Sequence, residues 1–368
     1  MPRVIHFVTG GFTGGATQVA IKLVSAAVAE GGTEALLVLR RKRHTDRSRI
    51  EELRRRGLPT ETVPGWSHLA TVLALARICR RYRPDVLFAH GFSEHLWGRY
   101  AGLLAGVPHL VHVEHNTRER YTRWRLAQAR WLARRTARIV GCSEGVRQRL
   151  LELGFPAERV MAIDNGIELA PFAAADSQPF AARAPTIVMV ARFARQKDHA
   201  TLLRAVALLR ERGLRPDVQL AGSGRDGHRR AVESLARELG IADQVHCLGV
   251  VRDVPQRLLC ARIAVLATHH EGMPLAIIEG MAAGCAVVGS RVPGVREIIT
   301  PGIDGLLVEP RDPRSLADAL AALLGDEALA SRLGATARRH AIERYGLARM
   351  AAGYDTLAAQ LLGGPPAR

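Results

Sequence analysis

No stretch of this 368-residue sequence approaches the roughly 20 apolar residues that a membrane-spanning helix requires. Its first residues, "RVIHFVTGG", read as a β-strand rather than a secretion signal, because no long apolar region and cleavage site follow. Cysteine is sparse: Cys79, Cys142, Cys247, Cys260 and Cys285 are scattered, with no CxxC pair. That argues against a disulfide framework or a zinc site, and for reduced thiols in a cytoplasmic protein. HExxH, GxSxG and a DxD-like acidic pair at a strand end are all missing, so the expected chemistry runs without metal and without a cofactor. A GxGxxG turn with an acidic ribose ligand after the second strand is missing too, which disfavours a dehydrogenase.

Negative charge is also short. The chain carries 52 Lys and Arg against 35 Asp and Glu, a net charge of +17. Residues 1–175 hold 27 of the basic and 15 of the acidic residues, so most of the excess lies in the first half. Two clusters dominate, "RRKRHTDRSRIEELRRR" (40–56) and "RERYTRWRLAQARWLARRTAR" (118–138). They suit solvated helix faces, or attraction to an anionic membrane surface or an acidic acceptor. Nucleic acid is disfavoured, because no helix-turn-helix, zinc-finger or RRM signature accompanies the charge.

Short β-rich runs alternate with amphipathic stretches along the whole chain. "VIHFV" (4–8) leads through a Gly-rich turn into a helix with Val19, Ala20, Leu23, Val24, Ala27 and Val28 at helical spacing, stopped by Gly31-Gly32. Further strands are expected at 35–39, 86–90, 109–115 and 138–143, the last running into a helix through Ser143 as N-cap. Around 170–185, "APFAAADSQPFAARAP" has three prolines and little periodicity and reads as a linker. The alternation then restarts, with strands at 186–193, 217–224, 244–249, 263–268, 286–290 and 305–310. The expected fold is α/β, two doubly wound Rossmann-like domains facing a central cleft. The domains are 1–170 and 186–344, joined by the linker 171–185. A C-terminal helix in 345–368 is expected to cross back to the first domain, with "GGPPAR" as a frayed tail.

"HHEGMPLAIIEGMAAG" (269–284) places Glu271 and Glu279 eight positions apart in apolar sequence. Pro274 sits where a helix begins, so Glu271 falls in the loop before it and Glu279 about a turn and a half inside. Helical side chains lean toward the N-terminus, so Glu279 can reach back to the same mouth. Between the two lie the bare N–H groups near Leu275 and Ala276, an anion site. An unpaired carboxylate in such a stretch would be costly, which favours a ligand.

The segment "EGMPLAIIEGMAAGCAVVGSRVPGVREII" resembles the E-x7-E region of retaining glycosyltransferases of family 4, which have the GT-B fold, and "GIDGLLVEPRDPRSLADAL" resembles the family's continuation. The resemblance covers nearly the whole chain and is strongest from Thr186 onward. It implies that Glu271 contacts the donor sugar and Glu279 the nucleotide ribose, with Met273, Pro274, Leu275 and Ala276 along the donor. After the first glutamate the family often has Phe-Gly, where this chain has Gly272-Met273. In "ARFARQKDHATLL" (191–203), Arg192 and Lys197 are two cations on a strand-to-helix loop, suited to a pyrophosphate whose charge grows as nucleotide leaves. The resemblance implies that they are the diphosphate clamp, with Ala191 in place of the usual Gly.

"TGGFTGGATQVA" (9–20) resembles the family's N-terminal glycine loop, which implies backbone contacts to the donor phosphates at Gly14 and Gly15. Thr17-Gln18 departs from the family's Glu-Arg type and leaves the side-chain roles there open. A lone histidine is usually structural, but the resemblance implies that His115 in "HVEHNTRERY" binds or polarises a sugar hydroxyl, with His90 a weaker candidate. Asn165-Gly166 reads as a domain-junction turn. Gly222 and Gly224 in "AGSGRDGHRRAV" allow close approach of backbone to ligand. The resemblance implies that Arg225 and Val251 lie near the nucleotide.

The expected activity is transfer of a hexose, with retention and without metal, from a nucleotide-diphospho-sugar to a hydroxyl of a glycan or lipid-linked acceptor. A UDP-sugar is favoured over a GDP-sugar, and cell-surface polysaccharide or lipopolysaccharide synthesis is the expected setting. The chain would act in the cytoplasm, at the inner face of the membrane through its basic half. The alternatives are a sugar-nucleotide epimerase of similar fold and a non-catalytic nucleotide-sugar binder.

Overall fold

The computed structural model describes residues 1–12, 14–43, 45–91, 93–117 and 121–363. The chain forms two compact units: Met1–Gly166 with Leu347–Arg368, and Ile167–Gly346. The expected tail 363–368 lies outside the described residues except for Gly363, as do residues 118–120 of the second basic cluster.

The first unit is built on strands β1 (Arg3–Thr9), β2 (Glu34–Arg40), β3 (Thr60–Val63), β4 (Val86–His90), β5 (His109–Glu114), β6 (Arg138–Gly141) and β7 (Val160–Ala162). They form one sheet in the order β3-β2-β1-β4-β5-β6-β7, and every pairing is parallel. Residues 4–8 and 86–90 are all buried, the mark of strands covered on both faces. The helix Gly15–Glu30 buries Thr17, Val19, Ala20, Leu23, Val24 and Ala26, while Val28, expected on the inner stripe, is exposed. Gly31, at φ 70°, ends it with a left-handed cap whose N–H donates to Ala27 O.

The second unit holds β8 (Ala184–Val190), β9 (Asp217–Ala221), β10 (Val245–Gly249), β11 (Ala261–Leu266), β12 (Ala286–Ser290) and β13 (Leu306–Val308). Their order is β10-β9-β8-β11-β12-β13, again all parallel. In each sheet the chain starts in the middle, runs to one edge, then returns to build the other side. Each therefore has a switch point, β1 beside β4 and β8 beside β11. Loops leaving the carboxyl ends of these strand pairs diverge and open a crevice, where ligands bind in such sheets.

The stretch 171–185, expected as a linker, lies within the second unit as the 3-10 turns Ala170–Asp176 and Phe180–Ala182. Its anchor is Arg338. The guanidinium donates in bidentate fashion to Asp176 (2.7 and 2.6 Å), and to the carbonyls of Phe172 (3.0 Å) and Ala282. Arg338 also holds the Asp176 carboxyl below its ordinary pKa. The last helix, Leu347–Leu361, belongs to the first unit, where Tyr354 packs edge-on to Phe88 at 5.5 Å and Asp355 accepts from Thr33. Among the described residues no helix is long and apolar enough to cross a membrane.

Candidate active site

In the second unit the loops that carry Arg192, Lys197 and Glu271 leave the sheet at the β8/β11 switch point. After β8 the chain passes the exposed Arg192, makes a 3-10 turn at Arg195–Lys197, and enters the helix His199–Glu211, capped by the Asp198 carboxylate. After β11 it runs through Thr268 to Pro274 before the helix Leu275–Ala282. Glu271 is 7% exposed, and its Oε1 accepts from Lys197 Nζ at 2.5 Å and from Thr268 Oγ1 at 2.7 Å. Lys197 and Glu271, assigned on the sequence to diphosphate and sugar, are thus one ion pair, its carboxylate buried and its ammonium half-buried. Such a pair holds together while complete, and removing either partner costs about 3–5 kcal/mol.

Gln196 fastens the two loops. Its carbonyl accepts from His269 N (2.9 Å) and Thr268 Oγ1 (3.1 Å), and its Nε2 donates to His270 O (2.7 Å) and Glu271 Oε1 (3.5 Å). Sequence reasoning missed Gln196 and Thr268. It also missed Gly294, where an added Cβ would sit 2.2 Å from Gly272 O, so no side chain fits beneath the 271–272 peptide. The helix after Glu271 starts one residue later than expected. Pro274 is extended (φ −76°, ψ 107°) and serves as the N-cap, leaving Leu275 and Ala276 in the first turn. First-turn N–H groups have no intrahelical acceptor and carry the positive end of the dipole. Met273 and Pro274 are buried, and Glu279 is half-buried one turn beyond Leu275.

Gly222 and Gly224 have a different reason from the expected one. At Gly222 (φ 157°) a Cβ would lie 2.0 Å from Ala191 O, and at Gly224 one would lie 2.4 Å from Phe193 Cβ. Phe193 N–H donates to Ser223 O at 2.7 Å. These glycines let the exits of β8 and β9 touch: backbone meets backbone. Arg225 is the exposed cap residue of the helix Asp226–Glu238, and Val251 is half-buried beyond β10. A cavity of about 470 Å³ elsewhere in this unit, near Arg183, Arg338 and Arg339, touches none of the expected site residues.

In the first unit the loop after β1 ends at Gly14, the N-cap of Gly15–Glu30, whose N–H donates to Gly11 O. Thr17 Oγ1 donates to Thr9 O and Gln18 Nε2 to Phe12 O, so both residues that depart from the family's pattern brace this loop from within. Thr13 lies outside the described residues. Across the same sheet end runs a series of imidazoles. His6 Nδ1 is 2.9 Å from His90 Nε2, and His90 Nδ1 is 3.1 Å from His115 Nε2. Burial lowers the pKa of His6 to about 3 and of His115 to about 4, and puts His90 well below its ordinary value. All three are neutral near pH 7.

His95, His112 and Glu114 bring three ligand atoms within 4.8 Å of one another and form the one such group among the described residues. His95 Nδ1, however, lies 2.6 Å from the buried Arg99 guanidinium, and its Nε2 lies 3.0 Å from the Tyr121 hydroxyl. A metal cation there would face a fixed positive charge, so the cluster reads as buried packing. The first basic cluster needs a correction too. Arg40 is buried and pairs with the buried Glu94 at 3.4 Å, so it supports the fold, while Arg41, Lys42, Arg43 and Arg47 are exposed.

A family model described as "Glycosyl transferases group 1" matches residues 173–340, and one described as "Glycosyltransferase Family 4" matches residues 13–171. The D-inositol 3-phosphate glycosyltransferase of Thermobispora bispora is 32% identical, over 84% of this chain and 78% of its own. The lipopolysaccharide core biosynthesis glycosyltransferase LpsE of Rhizobium meliloti is 28% identical over 90% of this chain and 91% of its own. Among solved structures, the Anabaena protein HepE in complex with UDP-glucose superposes with a TM-score of 0.85, covering 99% of this chain and 100% of that one at 20% identity. With its tandem sheets and these matches, the chain belongs to the group 1, family 4 glycosyltransferases and has their GT-B fold.

Proposed function

We propose that this glycosyltransferase moves a hexose, with retention and without metal, from a UDP-sugar to a hydroxyl of a glycan or lipid-linked acceptor in cell-surface polysaccharide or lipopolysaccharide synthesis. The observation that carries the reading is the Lys197–Glu271 pair, set between the β8 and β11 loops just before a helix start. Glu271 takes the sugar hydroxyls and Glu279 the ribose. Arg192, Lys197 and the first-turn N–H groups of Leu275 and Ala276 hold the diphosphate. Support for UDP comes from HepE, which was solved with UDP-glucose, and support for the setting comes from LpsE.

In the proposed step the bond from the anomeric carbon to the diphosphate oxygen breaks, and the acceptor oxygen bonds that carbon on the same face. The acceptor's proton passes to the departing phosphate oxygen. The side chains supply charge and position, and His115 orients a sugar hydroxyl. The cytoplasmic membrane face is the proposed place of action. The helices Arg47–Arg55 and Arg123–Ala133 present exposed arginines, and Trp66 and Trp124 are 85% and 74% exposed near them in sequence. Basic side chains beside exposed indoles suit an anionic lipid surface.

UDP-, GDP- and ADP-sugars offered with and without a lipid-linked glycan test the reading by nucleotide release and by the anomeric configuration of the product. Transfer from a UDP-sugar with retention is expected. Epimerised donor in the absence of acceptor would show an epimerase instead.

A further inference from the structure

The histidine series constrains more than its members' charge. A neutral imidazole has one N–H and one lone pair, so a ring bonded through both nitrogens donates with one and accepts with the other. His90 is such a ring: it meets His6 through Nε2 and His115 through Nδ1. The two hydrogen bonds must therefore run in the same direction. If His6 Nδ1 donates, then His90 Nδ1 donates to His115 Nε2, and all three rings carry their proton on Nδ1. If His115 Nε2 donates, all three carry it on Nε2. Mixed arrangements place two lone pairs or two protons face to face.

We propose that His6 and His90 are positioning residues that fix the tautomer of His115, and so decide whether its remaining nitrogen, Nδ1, accepts from a sugar hydroxyl or donates to it. His90 is fully buried and His6 is 4% exposed, so water does not compete for the bonds between them. Ring packing holds the series in register. His6 stacks on Phe88 at 4.8 Å with planes 8° apart, and the His90 and His115 rings lie edge to edge, nearly coplanar, with planes 20° apart as an in-plane N···N bond requires. The far end is distinct from bulk solvent. His6 and Tyr354 line a cavity of about 20 Å³ together with Thr33 and Asp355, and the Tyr354 hydroxyl is buried without a hydrogen-bond partner. That end selects the direction of the series, and His115 displays the choice at the carboxyl end of β5.

The role of the relay in turnover rests on the proposed function, but the tautomer coupling does not. Nitrogen-15 NMR of imidazole-labelled protein without substrate reads the coupling directly. One shared tautomer in His6, His90 and His115 is expected. In His6→Phe, which keeps the ring stack on Phe88, the His115 nitrogen shifts should move toward a mixture of tautomers. In His6→Asn, whose amide stands at the Nδ1 position, they should return. Opposite tautomers in the wild type, or His115 shifts unmoved in a folded His6→Phe, overturn the proposal. Kinetically, kcat should fall about tenfold in His6→Phe with the donor KM unchanged, and recover in His6→Asn. Coupling by NMR with an unchanged kcat would overturn the positioning role. Coupling in a wild type that transfers no sugar would leave the relay standing and sink the proposed function alone.

Discussion

The two units carry different side chains on nearly the same sheet. Both run from the centre to one edge and back, and both put their candidate-site loops where that direction reverses. In the second unit the switch point holds an ion pair and a helix start, charges suited to a charged donor. In the first it holds a row of neutral imidazoles, with His115 alone partly exposed. The strand order fixes where a site forms, while the few residues just past each strand end decide what it binds. Charge is concentrated where a diphosphate would rest and removed where a hydroxyl would be oriented.

The harshest way to break this contrast is Lys197→Ala. It strips a fixed charge from the second unit and takes the ammonium partner from the buried Glu271 carboxylate, to which Gln196 and Thr268 still donate. Transfer should fall by about 100- to 1000-fold in kcat, and stability by about 3 kcal/mol, read from turnover and from urea melts. His115→Ala in the first unit should cost turnover with far less effect on stability, since its ring sits at the partly exposed end of the series.

Acid should separate the units. The folded pKa values of His6, His90, His95, His112 and His115 lie below the unfolded value of 6.5, so on acidification the unfolded chain takes up protons first. Stability present at pH 7 is then lost as the pH falls below 6.5 toward 4, by up to about 1.4 kcal/mol per pH unit for each histidine. In the second unit His199 shows a comparable depression, to about 4. All four tryptophans (Trp66, Trp97, Trp124 and Trp131) belong to the first unit. Their fluorescence should therefore report unfolding at a higher pH than far-UV circular dichroism, which averages both units. Coincident transitions would refute this.

Smaller effects sharpen the second unit's side of the comparison. Glu279→Ala should weaken UDP binding about ten- to hundredfold, the loss of one charge-assisted hydrogen bond, with the fold intact by calorimetry. Unchanged affinity would refute the ribose assignment. Smallest is the surface effect. Replacing Arg123 and Trp124 together should reduce binding to vesicles containing anionic lipid several-fold, about 1 kcal/mol per basic residue, without altering binding to neutral vesicles.

The parallel strands were legible because a strand covered on both faces is an almost unbroken apolar run, as in "VLFAH" and "AVVGS". The two edge strands of the first unit were not. "TETV" has one apolar residue in four and "VMA" is three residues long, too little for a hydrophobic pattern to stand out. Glu271, Arg192 and Lys197 could be singled out because charge in a strand-end loop is conspicuous and their spacing matches a known family. Gln196 and Thr268 could not, since a neutral polar residue in a loop has many ordinary uses, and the bonds by which they join the two loops span more than 70 positions. His6 was hidden for the same reason: within "VIHFV" it reads as core, and its partner is 84 residues distant. The glycines are instructive in another way. Their spacing correctly signalled a close approach, but not whether ligand or chain does the approaching.

The return of the last helix to the first unit carries a consequence for the order in which the protein is made. Tyr354 packs against Phe88 and lines the space beside His6, yet a ribosome adds it after the whole second unit. The earlier-made unit must wait, with the flank of β1 and β4 uncovered, until the final residues emerge. A chain released at residue 346 would contain every strand and every residue of the ion pair. It would still lack the piece that closes over the buried histidines, so its second unit should mature while its first stays open to proteases.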